Sequence, residues 1–262
     1  MGDFSGKTVL VAGATSGMGR ATAVAFATAG ATVFAVGRRA HEGQETLDLI
    51  RQAGSEAQFR TVDVGVEAEV AAVVAEIVAR HGRLDCAANC AGIDAIAAFT
   101  DYTEADYDRV FGANVKGLFF CLKHEILAMR TNGGGATSSG GAIVNVGSIA
   151  GEKVIRGNGI YNASKAAANM LTRTAALEAA EHGIRINEVA PGPVETPMLH
   201  EFLAHAAEAG SALSEADIAA AAPLKRVGTP EDIAAAILFL CSPKSAFTTG
   251  ASLSVDGGFR LT

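Results

Sequence analysis

A glycine-rich turn is the first segment of the sequence that could do chemistry. It reads Gly13-Ala14-Thr15-Ser16-Gly17-Met18-Gly19 and follows a short apolar run. Glycine permits a tight turn and a close approach of the backbone to a pyrophosphate, and the free N–H groups of a following helix N-terminus bind phosphate. The spacing therefore favours a dinucleotide site, with a tight turn that binds nothing as the alternative. A nucleotide hydrolase is a weaker alternative, because its phosphate loop ends in Gly-Lys-Ser/Thr, whereas Gly19 is followed by Arg20-Ala21.

Ser148, Tyr161 and Lys165 form a second group with catalytic potential. A tyrosine and a lysine four residues apart share one face of a helix, so the ammonium can lie beside the phenol. An adjacent cation lowers the pKa of a tyrosine from its usual value of about 10, which would let Tyr161 act as a base. Ser148 could hydrogen-bond the substrate oxygen and hold it against Tyr161. A half-buried tyrosine beside a solvated lysine is the alternative without catalysis.

Short β-branched runs alternate with longer alanine-rich segments of helical period, and these elements must position the two motifs. We predict strands at Thr8–Ala12, Thr32–Val36, Gln58–Val62, Leu84–Ala88, Ala142–Val146, Arg185–Val189 and Leu253–Val255. We predict helices at Gly17–Ala29, Glu42–Ala53, Glu67–His81, Glu104–Arg130, Ile160–Glu181 and Pro230–Cys241. The alternation is typical of an α/β fold, here a Rossmann-like, doubly wound one in which helices cover both faces of a seven-stranded parallel sheet.

The chain is expected to form a single domain over residues 1–262, because no Pro/Ser-rich linker separates two halves. Thr229-Pro230 predicts the start of the last helix, as an N-cap followed by proline. Residues 193–223 are a long excursion after the sixth strand, where we expect a helical lid over a ligand site. Thr131–Gly141 is rich in glycine and serine and is predicted to be a flexible surface loop.

The composition indicates a globular protein. The chain has 262 residues, of which 49% are hydrophobic and 19% charged, and its formal net charge is −7. A nucleic-acid binder would need a basic face, so no such partner is expected. We also expect no membrane span and no signal peptide, and hence a cytoplasmic protein. The four cysteines and six histidines have no zinc-site spacing, so no metal is expected.

The order of the motifs along the chain resembles that of the short-chain dehydrogenase/reductase family. Asp63-Val64 is similar to the pair that meets the adenine ring, and Asn89-Cys90-Ala91-Gly92 is similar to the family's Asn-Asn-Ala-Gly. Asn114 matches the helix-borne catalytic asparagine. Pro191-Gly192 with Thr196 matches the segment that binds the nicotinamide carboxamide. With the glycine-rich turn and the Ser-Tyr-Lys group, all these motifs occur in the family's order.

The resemblance implies reversible hydride transfer that interconverts a secondary alcohol and a ketone with a nicotinamide cofactor. In the oxidation direction Tyr161 would take the hydroxyl proton as the general base, Ser148 would steady the oxygen, and Lys165 would hold the nicotinamide ribose. Asn114 would disturb its helix and hold a water that links Lys165 to solvent. The implied catalytic residues are Asn114, Ser148, Tyr161 and Lys165. The implied substrate contacts are Ser148, Glu152, Asn158 and Tyr161.

The implied cofactor contacts are spread over the carboxyl ends of the strands. They are Gly13, Thr15, Ser16, Gly17, Met18, Gly19, Arg38, Arg39, Asp63, Val64, Asn89, Ala91, Gly92, Tyr161, Lys165, Pro191, Gly192, Val194 and Thr196. An NAD enzyme usually has an acidic residue after the second strand, whereas this chain has Gly37-Arg38-Arg39. Guanidinium groups suit a 2′-phosphate, so we expect NADP(H), with Arg38 as the main contact. The family's NADP enzymes often have a second basic residue, an Arg or Lys just before the second glycine, but this chain has Ser16 there. NAD(H) therefore remains a possible cofactor.

Other functions are weighed against this one. A serine hydrolase is excluded, because Ser148 is not in a G-x-S-x-G motif. A catalytically inactive NAD(P)-binding sensor or scaffold would normally have lost one of Ser148, Tyr161 and Lys165. An enoyl reductase of this family would have the tyrosine and lysine farther apart. These last two functions stay as the alternatives.

The expected partners are a small-molecule alcohol or ketone and further copies of the same chain. Members of the family usually form tetramers through their long helices and their C-terminal strand. We therefore expect a homotetramer with interfaces at Glu104–Arg130, Ile160–Glu181 and Leu253–Thr262.

Overall fold

A parallel sheet forms the centre of the computed structural model, which describes residues 4–132, 140–208, 210 and 212–262. Within those residues the strands are β1 (Thr8–Ala12), β2 (Thr32–Gly37), β3 (Ala57–Thr61), β4 (Cys86–Asn89), β5 (Gly141–Val146), β6 (Ile184–Pro191) and β7 (Ser252–Val255). They are hydrogen-bonded in the order β3-β2-β1-β4-β5-β6-β7, and every neighbouring pair is parallel. The predicted seven-stranded parallel sheet of a Rossmann-like fold is confirmed.

Helices connect successive strands and cover the sheet. They are α1 (Gly17–Thr28), α2 (Ala40–Gln52), α3 (Glu67–His81), α4 (Glu104–Phe111), α5 (Leu118–Met129), α6 (Gly159–Ala179), α7 (Pro197–Glu208), α8 (Glu215–Ala221) and α9 (Pro230–Cys241). In the described part of the chain, none is long and apolar enough to cross a membrane. The lid segment predicted from the sequence contains α7 and α8.

The prediction of one continuous helix over Glu104–Arg130 is wrong. Between α4 and α5 the chain forms a π-helical segment, Gly112–Gly117. The family resemblance had implied a disturbance at Asn114, which lies in this segment. The local helical pattern does not predict it, because the Asn114 side chain is hydrogen-bonded to the backbone of Ile93, 21 residues earlier. A wider turn of this kind occurs mostly at functional sites.

The connection between α5 and β5 is described only in part. Arg130–Asn132 forms a short 3₁₀ turn, and β5 begins at Gly141. Residues 133–139, which fall in the predicted flexible loop Thr131–Gly141, lie outside the described residues. At the start of α9, by contrast, the predicted N-cap is confirmed, because the Thr229 hydroxyl accepts a hydrogen bond from the N–H of Asp232.

Alternate residues of the strands supply two hydrophobic cores, one on each face of the sheet. In β1, Val9 and Val11 belong to the core that also contains Phe26 of α1 and Ile237 of α9. Leu10 and Ala12 belong to the core on the other face, which includes residues of α3, α5 and α6. Because side chains of a strand alternate between its faces, the strands of a sheet that is buried on both sides are apolar at most positions.

Polar side chains cross the second core in a hydrogen-bonded chain. Asn89 of β4 donates through Nδ2 to Oε2 of Glu125 at 2.9 Å and to Oδ1 of Asn145 at 3.0 Å. Asn145 in turn donates to the Thr172 hydroxyl of α6 at 2.9 Å. Glu125 is fully buried, and burial raises its pKa to about 7, although the bond from Asn89 opposes the shift. Glu125 therefore makes the stability of the fold depend on pH.

We predict that Glu125→Gln removes much of this pH dependence. The unfolded chain loses the Glu125 proton near pH 4.5, whereas the folded chain keeps it to about pH 7, so wild-type stability falls as pH rises through that window. The free energy of unfolding is measured with urea at about pH 5 and at about pH 8. Its decrease between these pH values should be larger for wild type than for the variant by about 2–3 kcal/mol. Glu56→Gln, at an exposed glutamate, is the matched control. Equal losses in wild type and Glu125→Gln would contradict the prediction.

Candidate active site

The glycine-rich turn packs backbone against backbone at the end of β4. Gly13 has a φ of +79°, and a Cβ there would lie 2.6 Å from the backbone nitrogen of Ala91. A Cβ at Gly19 would overlap the carbonyl oxygen of Gly13. Ser16 precedes α1 without capping it through its side chain, which leaves the first N–H groups of the helix available to an anion. The turn thus has the space and the donors that a pyrophosphate requires.

A cavity of about 360 Å³ opens beside this turn, at the carboxyl ends of the strands. Thirteen of the predicted cofactor contacts line it: Gly13, Thr15, Ser16, Gly17, Met18, Gly19, Arg38, Arg39, Asp63, Val64, Ala91, Gly92 and Thr196. The cavity continues to Thr196 and Met198, at the start of α7. Its glycine cradle and its position fit a dinucleotide, so a nicotinamide cofactor is compatible with the residues present.

The end of β2 has no room for the acidic side chain of an NAD-type site. A Cβ at Gly37 would lie 2.6 Å from the methyl group of Thr15. Two arginines follow, and both line the cavity. Arg39 donates through Nη2 to the hydroxyls of Thr15 at 3.0 Å and Ser16 at 2.8 Å. The structure therefore places Arg39 on the glycine-rich turn, whereas the sequence had favoured Arg38 as the main contact.

Asn114 is buried in the π-helical segment and fixes the chain after β4. Its Oδ1 accepts a hydrogen bond from the N–H of Ile93, and its Nδ2 donates to the carbonyl of Ile93, both at 2.9 Å. Nδ2 also donates to the Ser164 hydroxyl of α6 at 3.0 Å. Asn114 thus ties α6, which carries Tyr161 and Lys165, to the loop that lines the cavity.

Lys165 lies next to Gly92, a residue of the cavity wall. Its ammonium is buried, donates to the carbonyl of Val146 at 2.9 Å and lies 5.6 Å from the ring centroid of Tyr161. Burial lowers the pKa of Lys165 to about 8, although the charge of Glu188 acts in the opposite direction. A Cβ at Gly92, a residue of the cavity wall, would lie 3.5 Å from Lys165 Nζ and 3.4 Å from Asn114 Oδ1. Gly92 therefore lies between the cavity and the side chains of Lys165 and Asn114.

Tyr161 and Ser148 lie together, but the pKa of Tyr161 moves against the prediction. Burial raises this pKa, the carboxylate of Asp94 raises it further, and a hydrogen bond with Ser148 lowers it. The sequence had predicted a net lowering by Lys165, whereas in the structure burial is the largest effect and the Asp94 carboxylate acts in the same direction. Ser148 itself caps a 3₁₀ turn, Ile149–Gly151, by accepting from the N–H of Ala150 at 3.1 Å.

Three predicted contacts direct their side chains elsewhere. Asn89 faces the core and bonds Glu125 and Asn145, as described above. Glu152 is exposed and pairs with Arg260 at 3.4 Å. Asn158 is buried and donates to both carboxylate oxygens of Asp94.

The segment after β6 closes one side of the cavity. Pro191 ends β6 beside Val255, and the N–H of Gly192 donates to the carbonyl of Val255 at 3.1 Å. Val194 is buried and forms a β-bridge with Gly228. Thr196 contacts the glycine-rich turn, because its methyl group lies 3.1 Å from the position of a Cβ at Gly17. The backbone of this segment is thus fixed next to the turn.

Sequence reasoning missed a second cavity and the carboxylate that it shares with the first. This second cavity, of about 280 Å³, lies between the chain after β4 and helix α7. Asp94 lines both cavities and follows Gly92 by two residues. Its position just after the carboxyl end of a central strand is a signal that could have found it. Its partner Asn158 is 64 residues away, and no local pattern predicts that pairing.

Side chains that often bind metals are dispersed. Among the described residues, no three or more histidine, cysteine or carboxylate side chains gather as a metal site would require. Cys86, Cys90, Cys121 and Cys241 are free thiols. Burial raises the pKa of Cys90 to about 12, so this thiol is neutral where it packs near the glycine-rich turn.

Comparison with known proteins gives matches over nearly the whole chain. A family model described as enoyl-(acyl carrier protein) reductase matches residues 13–260. A short-chain dehydrogenase/reductase of Armillaria gallica is 36% identical, over 97% of this chain and 95% of its own. A 2,5-dichloro-2,5-cyclohexadiene-1,4-diol dehydrogenase of Sphingobium indicum is 35% identical, over 99% of each chain.

Solved structures agree with these matches. Levodione reductase superposes with a TM-score of 0.93 at 31% identity, over 99% of each chain. An actinorhodin polyketide ketoreductase with NADPH superposes with a TM-score of 0.91 at 32% identity, over 98% of each chain. The fold, the order of the motifs and the matches over nearly the whole chain lead to one conclusion. The chain belongs to the short-chain dehydrogenase/reductase family of oxidoreductases.

Proposed function

We propose that the protein interconverts a secondary alcohol and a ketone with an NAD(P) cofactor. The observation that carries this proposal is the position of Gly92, which lines the dinucleotide-sized cavity and borders both Lys165 and Asn114. A cofactor held by the glycine-rich turn would thereby reach the Tyr161 phenol. Cyclic secondary alcohols are the first substrates to test, because the Sphingobium relative is named for the oxidation of a cyclic diol.

The chain's own residues supply position and protons. When bound, the cofactor would supply the hydride or accept it. Burial and Asp94 raise the pKa of Tyr161, so its phenol is neutral near neutral pH and can donate a proton to a ketone oxygen. Ser148, which bonds the same phenol, would hold that oxygen in place. Reversal of these transfers oxidises the alcohol.

Lys165 and Asn114 would help to return a proton from solvent to Tyr161. The Lys165 ammonium lies beside the tyrosine ring and would also hold the nicotinamide ribose. Asn114 fixes the π-helical segment through Ile93 and Ser164. We propose that the wide turn around Asn114 accommodates a water that connects Lys165 with solvent.

One alternative enzyme activity has an observation in its favour. The matching family model is described as an enoyl-(acyl carrier protein) reductase. The four-residue spacing of Tyr161 and Lys165 favours the alcohol and ketone reaction instead. An assay of the purified protein with an enoyl thioester and with a cyclic ketone, followed by loss of reduced-nicotinamide absorbance, separates the two activities. The absence of turnover despite cofactor binding would favour the sensor or scaffold.

We predict that Tyr161→Phe lowers kcat by about 10²–10⁴-fold, because it removes the proton donor without changing the ring. Cofactor affinity, measured by fluorescence titration, should stay within about threefold of wild type, because the ring that packs beside the ribose site is unchanged. Tyr107→Phe, at an exposed tyrosine, is the matched control and should keep full activity. A Tyr161→Phe enzyme that keeps more than about a tenth of the wild-type rate would refute the assignment.

We predict that NADP(H) binds more tightly than NAD(H). Gly37 excludes an acidic side chain, and two guanidinium groups line the cavity where a 2′-phosphate would lie. Arg38→Ala and Arg39→Ala should each weaken NADP(H) by roughly tenfold or more and change NAD(H) much less, since a charge-assisted hydrogen bond contributes about 1.5–3 kcal/mol. Arg51→Ala, on the exposed side of α2, is the control. A lower Kd for NAD(H) than for NADP(H) in wild type would overturn this preference.

We predict a homotetramer at micromolar concentration. Large apolar side chains are exposed on the segments expected to meet other copies: Phe119, Leu127, Met170, Leu177, Leu253 and Leu261. Leu177→Glu should reduce the mass measured by light scattering, because it places charge on the exposed face of α6. Leu49→Glu, on α2 outside those segments, should leave the mass unchanged. A monomeric wild type would contradict this proposal.

A further inference from the structure

Asp94 lies between the two cavities described above. It lines the 360 Å³ cavity beside the glycine-rich turn and the 280 Å³ cavity beneath α7. Its charge also acts on Tyr161, because the Asp94 carboxylate raises the pKa of that phenol. A substrate that reacts at Tyr161 and extends into the second cavity would therefore pass this carboxylate.

The Asp94 carboxylate is held rigidly but keeps room for another donor. Oδ1 accepts from the N–H of Ala95 at 2.6 Å and from Asn158 Nδ2 at 2.9 Å, and Oδ2 accepts from Asn158 Nδ2 at 2.8 Å. Asn158 is buried and directly precedes α6, which fixes the carboxylate relative to Tyr161 three residues later. A carboxylate can accept about four hydrogen bonds, so one acceptor position stays on Oδ2.

The neighbouring cation does not neutralise this carboxylate directly. Arg109 donates to the backbone carbonyl of Asp94 at 3.2 Å and pairs with Asp106 at 3.4 Å. No ion pair of the described residues involves Asp94. Asp94 is half-buried, and both of its oxygens already accept hydrogen bonds, so a substrate gains affinity by donating a further, charge-assisted hydrogen bond to Oδ2.

The second cavity combines apolar walls with negative charge. Ile96, Met198 and Phe202 supply the apolar surface. Asp94, Asp106 and Glu201 also line it, together with Arg109 and His205. Arg109 pairs with Asp106, which leaves Asp94 and Glu201 without an ion pair among the described residues. Apolar walls favour a hydrocarbon ring, and unpaired carboxylates oppose an anionic substituent.

We propose that Asp94 is a specificity-determining residue that accepts a hydrogen bond from a second hydroxyl of a neutral cyclic substrate. The substrate class is then a diol, or the hydroxyketone formed from it, in preference to a mono-alcohol or an anion. This inference rests on the proposed alcohol and ketone reaction. It assigns Asn158 a positioning role, since Asn158 holds both oxygens of Asp94.

Matched substrates test the inference. The 1,2-, 1,3- and 1,4-cyclohexanediols are each compared with their monomethyl ethers, which have one hydroxyl donor fewer, and kcat/KM is measured with the preferred cofactor. For the best-fitting diol, wild type should favour the diol over its ether by roughly 10- to 100-fold, the range for a hydrogen bond to a charged group. Asp94→Asn and Asp94→Ala should each reduce this ratio to below about threefold. The ratio cancels any change in the pKa of Tyr161, since both substrates use the same phenol.

Asp101→Asn removes an exposed carboxylate of the same segment and is the matched control, for which the ratio should stay at the wild-type value. If wild type shows a diol-to-ether ratio of kcat/KM near one for all three pairs, the inference is overturned while the proposed function stands. This outcome is measured on wild type alone, so it does not depend on whether a variant folds. Better use of an aminocyclohexanol than of the diols would overturn the choice of a hydroxyl. Failure of wild type to convert any alcohol of the set, cyclohexanol included, would instead contradict the proposed function and the inference with it.

Discussion

Backbone contact between the turn after β1 and the chain after β4 is the constraint on which the rest of the site depends. β1 and β4 are parallel neighbours, so their carboxyl ends meet at one edge of the sheet. Gly13 and Ala91 approach so closely there that a side chain at position 13 would overlap the backbone. The contact fixes Gly92 one residue later, and Gly92 borders Lys165 and Asn114. The cradle for a dinucleotide and the side chains proposed to be catalytic are thereby held in one place.

Burial, more than ion pairing, controls the charges at this edge. It lowers the pKa of Lys165 to about 8 and raises the pKa of Tyr161, because burial disfavours the charged form of each group. The carboxylates around them act as corrections to that effect: Glu188 supports the charge on Lys165, and Asp94 opposes a phenolate at Tyr161. A substrate or cofactor that changes the local charge or excludes water therefore changes the pKa values of both groups.

The parts of the structure that depend on local sequence could be predicted. The bounds of β1, α3 and α9 agree with their apolar periods, and the start of α9 follows from Thr229-Pro230. The features that failed depend on residues distant in the chain. The π-helical segment requires the bonds of Asn114 to Ile93 and Ser164, and the inward turn of Asn89 requires Glu125. The pairing of Asp94 with Asn158 likewise needs the folded sheet.

The central claim is that a hydride passes between a carbinol carbon and a nicotinamide within this site. Transfer of an isotopic label measures this most directly. A cyclic secondary alcohol that carries deuterium on its carbinol carbon is incubated with the protein and oxidised cofactor, and the reduced cofactor is analysed by NMR. The account predicts one deuterium at C4 of the nicotinamide, on one face only, because a fixed cofactor presents one face to the substrate. Ketone formation with no deuterium in the cofactor would contradict the account.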